Sequence, residues 1–296
     1  MRNMRAVVPL KGIAWRARRR YECWREVRRA AAGTTPPVLI YQMAKGASTT
    51  ILHALERVGI NAIQVHLMNP AVVRRLRSSM RAKGLSVHGM DIDIIGHAVR
   101  RGIIEPGRGA KIINLVREPV GRNVSVYFQI LDAIWQADNA HEKIGLERLL
   151  EGFHDKFDHE RTLNWFDDEF KPVLGVDIYE HEFPRESRCL RIERGPYDIL
   201  LMRVDLDDVS KEKHLSEFLG VEGLKLLPAN VASQKPYAAT YREFLGALRL
   251  SETYVDRMLD SRYARHFFTD EERRALRSKW LGGDDAAQAS RALKES

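Results

Sequence analysis

Two short segments of the chain concentrate side chains able to hold anions. The first, Lys45-Gly46-Ala47-Ser48-Thr49-Thr50, lies between an apolar run (residues 38–43) and an amphipathic stretch that ends at Gly59. In a strand–turn–helix of this kind, the turn amides, the helix N-terminus and three hydroxyls converge on one point, which makes a phosphate cradle. The second runs from Arg117 through Glu118, Pro119, Gly121, Arg122 and Ser125 to Tyr127, again after an apolar run, residues 112–116. Pro119 suits the first helical position. Arg117 then stands at the mouth of a helix, with Arg122 and Ser125, three apart, on one side of it. A guanidinium and a hydroxyl so placed can meet one phosphate from two directions. The spacing predicts a salt bridge inside the helix layer for Arg122, rather than ligand contact.

A metal-dependent nucleoside triphosphatase would place its lysine after the glycines, as G-x-x-x-x-G-K-[ST], and would commonly end the third strand in an aspartate. Here the lysine precedes the glycine and the strand ends in Arg117. The pattern is one for phosphate without metal.

These two segments resemble the PAPS-dependent sulfotransferases, which carry a lysine-led loop after the first strand and an R-x-P-x-x-R-x-x-S-x-Y/F segment further on. Residues 45–50 are most similar to the K-x-A-S-T-S form of the uronyl 2-O-sulfotransferases, and residues 117–127 match the second motif at each required position. Trp165-Phe166-Asp167, Asn230, Lys235, Tyr237 and Tyr241 also resemble a bacterial sulfotransferase-like group named for capsular polysaccharide synthesis. The resemblance implies a donor, 3′-phosphoadenosine 5′-phosphosulfate (PAPS), held at its 5′ end by Lys45, Gly46, Ala47, Ser48, Thr49 and Thr50. Arg117 and Ser125 would hold the 3′-phosphate, and Lys45 would stabilise the leaving phosphate. The implied acceptor is a carbohydrate hydroxyl.

Such a hydroxyl needs a base. Where the uronyl enzymes read H-G-H, with the base on the second histidine, this chain reads His88-Gly89-Met90. His88 is the nearest candidate, His66 the next, and His97 and Asp91 are further options. Two other readings stay open: a nucleotide-dependent kinase on the same fold, and a non-catalytic docking protein that uses the scaffold without chemistry.

Strands alternating with helices predict an α/β fold, a P-loop-like parallel sheet flanked by helices, with a helical C-terminal part and a basic N-terminal helix. The spacing predicts strands over 38–43, 62–67, 85–90, 111–116 and 197–204. Helices are expected over 49–58, 70–83, 119–135 and 140–170, with short extended pieces over 173–193. Trp165-Phe166 offers a platform for a sugar ring, although aromatic residues on a helix more often face the core. Tyr237 and Tyr241, four apart, suit packing on one helix face.

The formal charge of +8 belongs to one end. Residues 1–31 hold Lys11 and nine arginines against Glu22 and Glu26, which leaves the remainder neutral and argues against a nucleic-acid groove. We divide the chain into a basic amphipathic arm (1–35), the α/β domain (36–282) and a polar tail (283–296). The arm either rests on an anionic membrane surface or packs on the domain through Trp15 and Trp24. No run approaches the roughly 18–20 apolar residues of a membrane span, and the start lacks the apolar core of a signal peptide. Cys23 and Cys189 suggest neither a disulfide framework nor a zinc site. A cytoplasmic place is the expectation, membrane-peripheral where the arm rests on the lipid surface.

Overall fold

The computed structural model describes residues 10–46, 48–82, 92–227 and 235–282. The sheet has five strands, β1 (Val38–Tyr41), β2 (Ala62–Val65), β3 (Ala110–Val116), β4 (Cys189–Arg194) and β5 (Tyr197–Arg203), in the order β2-β1-β3-β5-β4. Four run parallel, and β4 pairs antiparallel with β5 at the edge. The predicted α/β architecture is therefore present. The expected extended pieces before residue 193 include β4, joined to β5 by the turn at Gly195 and Pro196.

Helix α1 (Leu10–Ala32) precedes the sheet, and α2 (Ser48–Arg57), α3 (Pro70–Ala82) and α4 (Ile92–Val99) fill the crossovers before β3. A π-helical turn, Arg100–Ile104, prolongs α4. After β3 come α5 (Pro119–Gln129), α6 (Leu131–Trp135), α7 (Ala140–Lys143), α8 (Leu146–Asp155) and α9 (Arg161–Trp165). A second π-helical turn, Phe166–Phe170, continues α9 into α10 (Lys171–Leu174). The C-terminal part is helical: α11 (Asp208–Leu219), α12 (Ala238–Ala247), α13 (Glu252–Leu259), α14 (Arg262–Phe267) and α15 (Asp270–Leu281).

The inner strands alternate between two apolar layers because successive side chains point to opposite faces. Leu39, Tyr41, Ile112, Ile199 and Leu201 pack on one side, and Ile40, Ile113, Leu115, Leu200 and Met202 on the other. Two predicted long helices are broken, the second of them also between α8 and α9. Ile130, at φ −111° and ψ 15°, separates α5 from α6, and Gly145, at φ −61° and ψ 151°, separates α7 from α8. Apolar periodicity continues across both breaks, because the flanking helices share one core, so the sequence pattern did not register them. The expected strand at 85–90 lies outside the described residues.

The basic helix α1 packs on the domain, with Cys23 and Val27 fully buried in the same cluster as the sheet. Trp24 joins that cluster as expected, whereas Trp15 stays 43% exposed. Among the described residues, no helix is long and apolar enough to cross a membrane.

Candidate active site

Strand β1 is flanked by β2 on one side and β3 on the other, so the chain leaves it in one direction and β3 in the opposite one. In an open parallel sheet, that reversal opens a crevice at the carboxyl ends of the strands, where ligands are bound. Both anion-binding turns leave the sheet there, the first after β1 and the second after β3. They touch: the Arg117 guanidinium donates to the Lys45 carbonyl at 3.4 Å. Arg122 reinforces the join by donating to the Ala44 carbonyl at 3.3 Å.

The backbone at the turn is unusual. Lys45 has φ +70°, a left-handed conformation that costs a non-glycine residue of order 1–3 kcal/mol and persists where surrounding structure enforces it. Gly46 meets a tight constraint of another kind, since a Cβ there would lie 2.6 Å from Gln42 Nε2 and 3.2 Å from the Leu115 carbonyl oxygen. The Gln42 side chain is fully buried under this turn, and neither its amide nitrogen nor its oxygen has a partner among the described residues. Such orphaned polar atoms are rare in folded proteins and mark a place where a polar ligand or water completes the set.

Charge at the crevice is one-sided. No described carboxylate pairs with Lys45, Arg117 or Arg122. Burial, then Lys235 and Arg117 nearby, hold the Lys45 ammonium below its usual pKa. Arg122, only 5% exposed, is pushed down to about 9, by burial first and then by Arg161 and Arg117. The predicted salt bridge of Arg122 is absent among the described residues: its partners there are the Ala44 carbonyl and, at 2.8 Å, the Thr162 hydroxyl. Thr162 donates in turn to Asn123 at 2.5 Å. Cations crowded together with no described carboxylate in contact, Asp158 and Glu118 acting on them only through space, are the electrostatic complement of a polyanion, and the N-termini of α2 and α5 add to the same field.

The Ser48 hydroxyl is oriented by a relay that sequence reasoning missed. The His66 Nδ1 lies 2.8 Å from the Gln42 carbonyl, which can only accept, so Nδ1 carries the proton. The other nitrogen, Nε2, is 3.1 Å from Gln64 Nε2 and accepts from it. The same Gln64 amide donates to Ser48 Oγ at 2.7 Å. With a lone pair so occupied, Ser48 is left to donate its own proton outward. Burial, and secondarily Arg122 and Arg161, hold His66 below the usual histidine range and keep it neutral, as the relay requires. Alternation along β2 signals that Gln64 and His66 share a face, but their link to Ser48 spans a crossover.

A second missed residue is Glu169, fully buried in the π-helical turn after α9. Its Oε1 accepts from the Tyr41 hydroxyl at 2.7 Å and from the Asn69 and Met68 amides, tying the end of β2 to the helical layer. Burial raises its pKa.

The remaining candidates separate. Thr49 and Thr50 occupy the first turn of α2, half-buried. Ser125 lies half-buried in the second turn of α5. His97, on α4, faces Trp24 edge-on at 6.4 Å and lines a different cleft. Trp165 and Phe166, 3% and 1% exposed, belong to the core and offer no sugar platform. Tyr237 and Tyr241 pack on Phe128. Ala47, His88, Met90, Asp91 and Asn230 lie outside the described residues.

No curated protein and no solved structure matches the chain. A family model does match one part of it, which begins after both anion-binding turns and takes in Arg161, Glu169, Lys235 and Tyr263. Residues 141–269 are similar to the family NKWYS, described as "Putative capsular polysaccharide synthesis protein".

Proposed function

We propose that the chain is a sulfotransferase that moves a sulfuryl group from PAPS to a hydroxyl of a carbohydrate acceptor. The observation that carries this reading is the contact between Arg117 and the Lys45 carbonyl, among cations of which Lys45, Arg117 and Arg122 have no carboxylate partner among the described residues. One bisphosphorylated nucleotide can bridge turns that adjoin in this way, and the similarity of residues 141–269 to a capsule-related family agrees with a carbohydrate acceptor.

In the proposed reaction the acceptor oxygen forms a bond to sulfur while the bond from sulfur to the bridging oxygen breaks. The electron pair stays on the 5′-phosphate of the departing 3′-phosphoadenosine 5′-phosphate. Lys45 stabilises the charge that grows there, an effect that acts in the transition state and so raises turnover. Ser48 donates to the same phosphate, and Arg117 with Ser125 holds the 3′-phosphate. The acceptor proton passes to a histidine, which we assign to His88. Both ring nitrogens of His66 are engaged, so its role is to position Ser48.

Thermal denaturation with 3′-phosphoadenosine 5′-phosphate, compared with ATP and Mg²⁺, tests the donor. A ligand that binds only the folded state adds about 2.7 kcal/mol at a hundredfold over its dissociation constant. The bisphosphate is expected to raise the midpoint without metal. Stabilisation by ATP–Mg²⁺ alone would sink the sulfotransferase reading and favour a kinase.

A further inference from the structure

Leu67, Met68 and Pro70, past the end of β2, line a cleft of about 410 Å³ bounded by α1, α3 and α4. That size is within the range of small-molecule sites. Its rim carries Arg20, Arg74, Arg77 and Arg100, from two helices and the π-helical turn, and among the described residues no carboxylate lines it. Its floor is apolar, with Trp24, Met68 and Ile94. The walls are held firmly. A Cβ on Gly96 would lie 1.7 Å from the Leu67 carbonyl oxygen, so α4 is seated directly on the chain leaving β2, while α1 is fastened by Cys23 and Val27.

We propose that this cleft binds an anionic amphiphile, a phosphate headgroup held by the rim arginines with its alkyl chain on the apolar floor. Charge complementarity selects the headgroup. Arg100 is partly satisfied by Glu105, whereas Arg20 and Arg74, on α1 and α3, line the same cleft and are exposed. Guanidinium groups suit a phosphate because they present paired donors to its oxygens. An apolar floor beneath a cationic rim also disfavours a fully hydrated anion such as inorganic phosphate, which would leave that floor uncovered. His97 agrees with the assignment: burial first, then Arg100, Arg101 and Arg20 against Glu105, lowers its pKa, in keeping with cations at the mouth. The site is separate from the donor crevice and does not depend on the sulfotransferase reading.

The test is calorimetric titration of the full chain with dodecyl phosphate below its micelle threshold. Dodecyl maltoside, inorganic phosphate, and vesicles of phosphatidylcholine with phosphatidylglycerol are the comparison arms. The variant Arg20→Glu/Arg74→Glu changes two exposed side chains, and circular dichroism verifies its fold; Arg20→Lys/Arg74→Lys serves as the charge-retaining control. Dodecyl phosphate is expected to bind saturably at one per chain, with affinity about tenfold or more weaker in the charge-reversed variant, in line with losing charged hydrogen bonds. The lysine variant should bind more tightly than the glutamate variant. Equal binding of dodecyl maltoside, or unchanged binding in the charge-reversed variant, overturns the proposal. Binding to vesicles with none to the monomeric amphiphile also overturns it, and assigns the arginines to a membrane surface.

Discussion

Two buried arginines, Arg122 and Arg203, stand close to the ends of neighbouring strands in opposite electrostatic circumstances. Arg203 ends β5, opposite Val116 of β3, and is 1% exposed. It pairs with Asp205 at 2.5 Å and Glu272 at 2.6 Å, donates to the Phe267 carbonyl at 3.2 Å and lies 4.2 Å above the Phe268 ring. Burial opposes its charge, but the two carboxylates outweigh burial and leave its pKa raised. Arg122, just past the end of β3, has only neutral acceptors and a lowered pKa. Both guanidiniums have been taken out of water, and only one of them touches carboxylates. The compensated site is complete as folded. The other stores an unmet demand for negative charge, which is what a binding site for a polyanion must do before its ligand arrives.

The comparison can be broken first at Arg203. Arg203→Met removes the buried cation of an ionic network and leaves Glu272 and Asp205 to Arg188 alone, so a loss of about 3 kcal/mol of stability, the lower end for breaking a buried pair, is expected. Urea denaturation measures it. A loss under about 1 kcal/mol would mean that the network is no more than a surface pair.

At the crevice the pattern inverts. Lys45→Ala is expected to cut sulfuryl transfer by roughly two to three orders of magnitude, as removal of one charge-stabilising donor does. Stability should hold or rise. The substitution relieves repulsion from Arg117 and Lys235, and alanine inherits the left-handed conformation at similar strain. Single-turnover assays and a melting curve on one preparation read both quantities. Normal turnover would remove Lys45 from the chemistry, whereas a large stability loss would place the lysine among structural residues such as Arg203.

Much of this contrast was legible in the chain, though not evenly. The strand cores, the turn after β1 and the Arg117–Pro119 entry to α5 follow from apolar runs and local chain-breaking residues, because each is written within about ten consecutive positions. The sheet order places the two turns together, and alternating strands and helices already implied a crossover connection of that kind. What could not be read was partnership at a distance. Arg122 and Arg203 are both arginines in apolar surroundings, and nothing local says that one meets Glu272, 69 positions away, while the other meets a carbonyl and a threonine. The relay from Gln42 through His66 and Gln64 to Ser48 was hidden for the same reason, as was Glu169, whose partners lie about a hundred residues back.

The smallest effect concerns the surroundings of Arg203 and sharpens what compensation means there. His266 is half-buried against Tyr179, Phe183 and Phe267, and its Nε2 has no partner among the described residues. Burial, then Arg262 and Arg185, with His181 adding and Asp177 opposing, pushes its pKa down to about 4. In the unfolded chain the imidazole titrates near about 6.5. Between those values the unfolded state binds a proton that the folded state refuses, so this contribution is complete above about 6.5 and is lost as pH falls toward 4. Asp205 and Glu272 are instead lowered by Arg203, despite their burial. Their contribution is therefore lost at lower pH, as they are protonated below their ordinary carboxylate values of about 4. In a urea series from pH 7 to 4, His266→Phe should change the stability difference from the parent chain progressively below about 6.5, by a modest amount because the ring is partly solvated. A difference that stays constant across that range would mean that His266 titrates alike in both states, and acid sensitivity above pH 4 would then have to come from outside the Arg203 region.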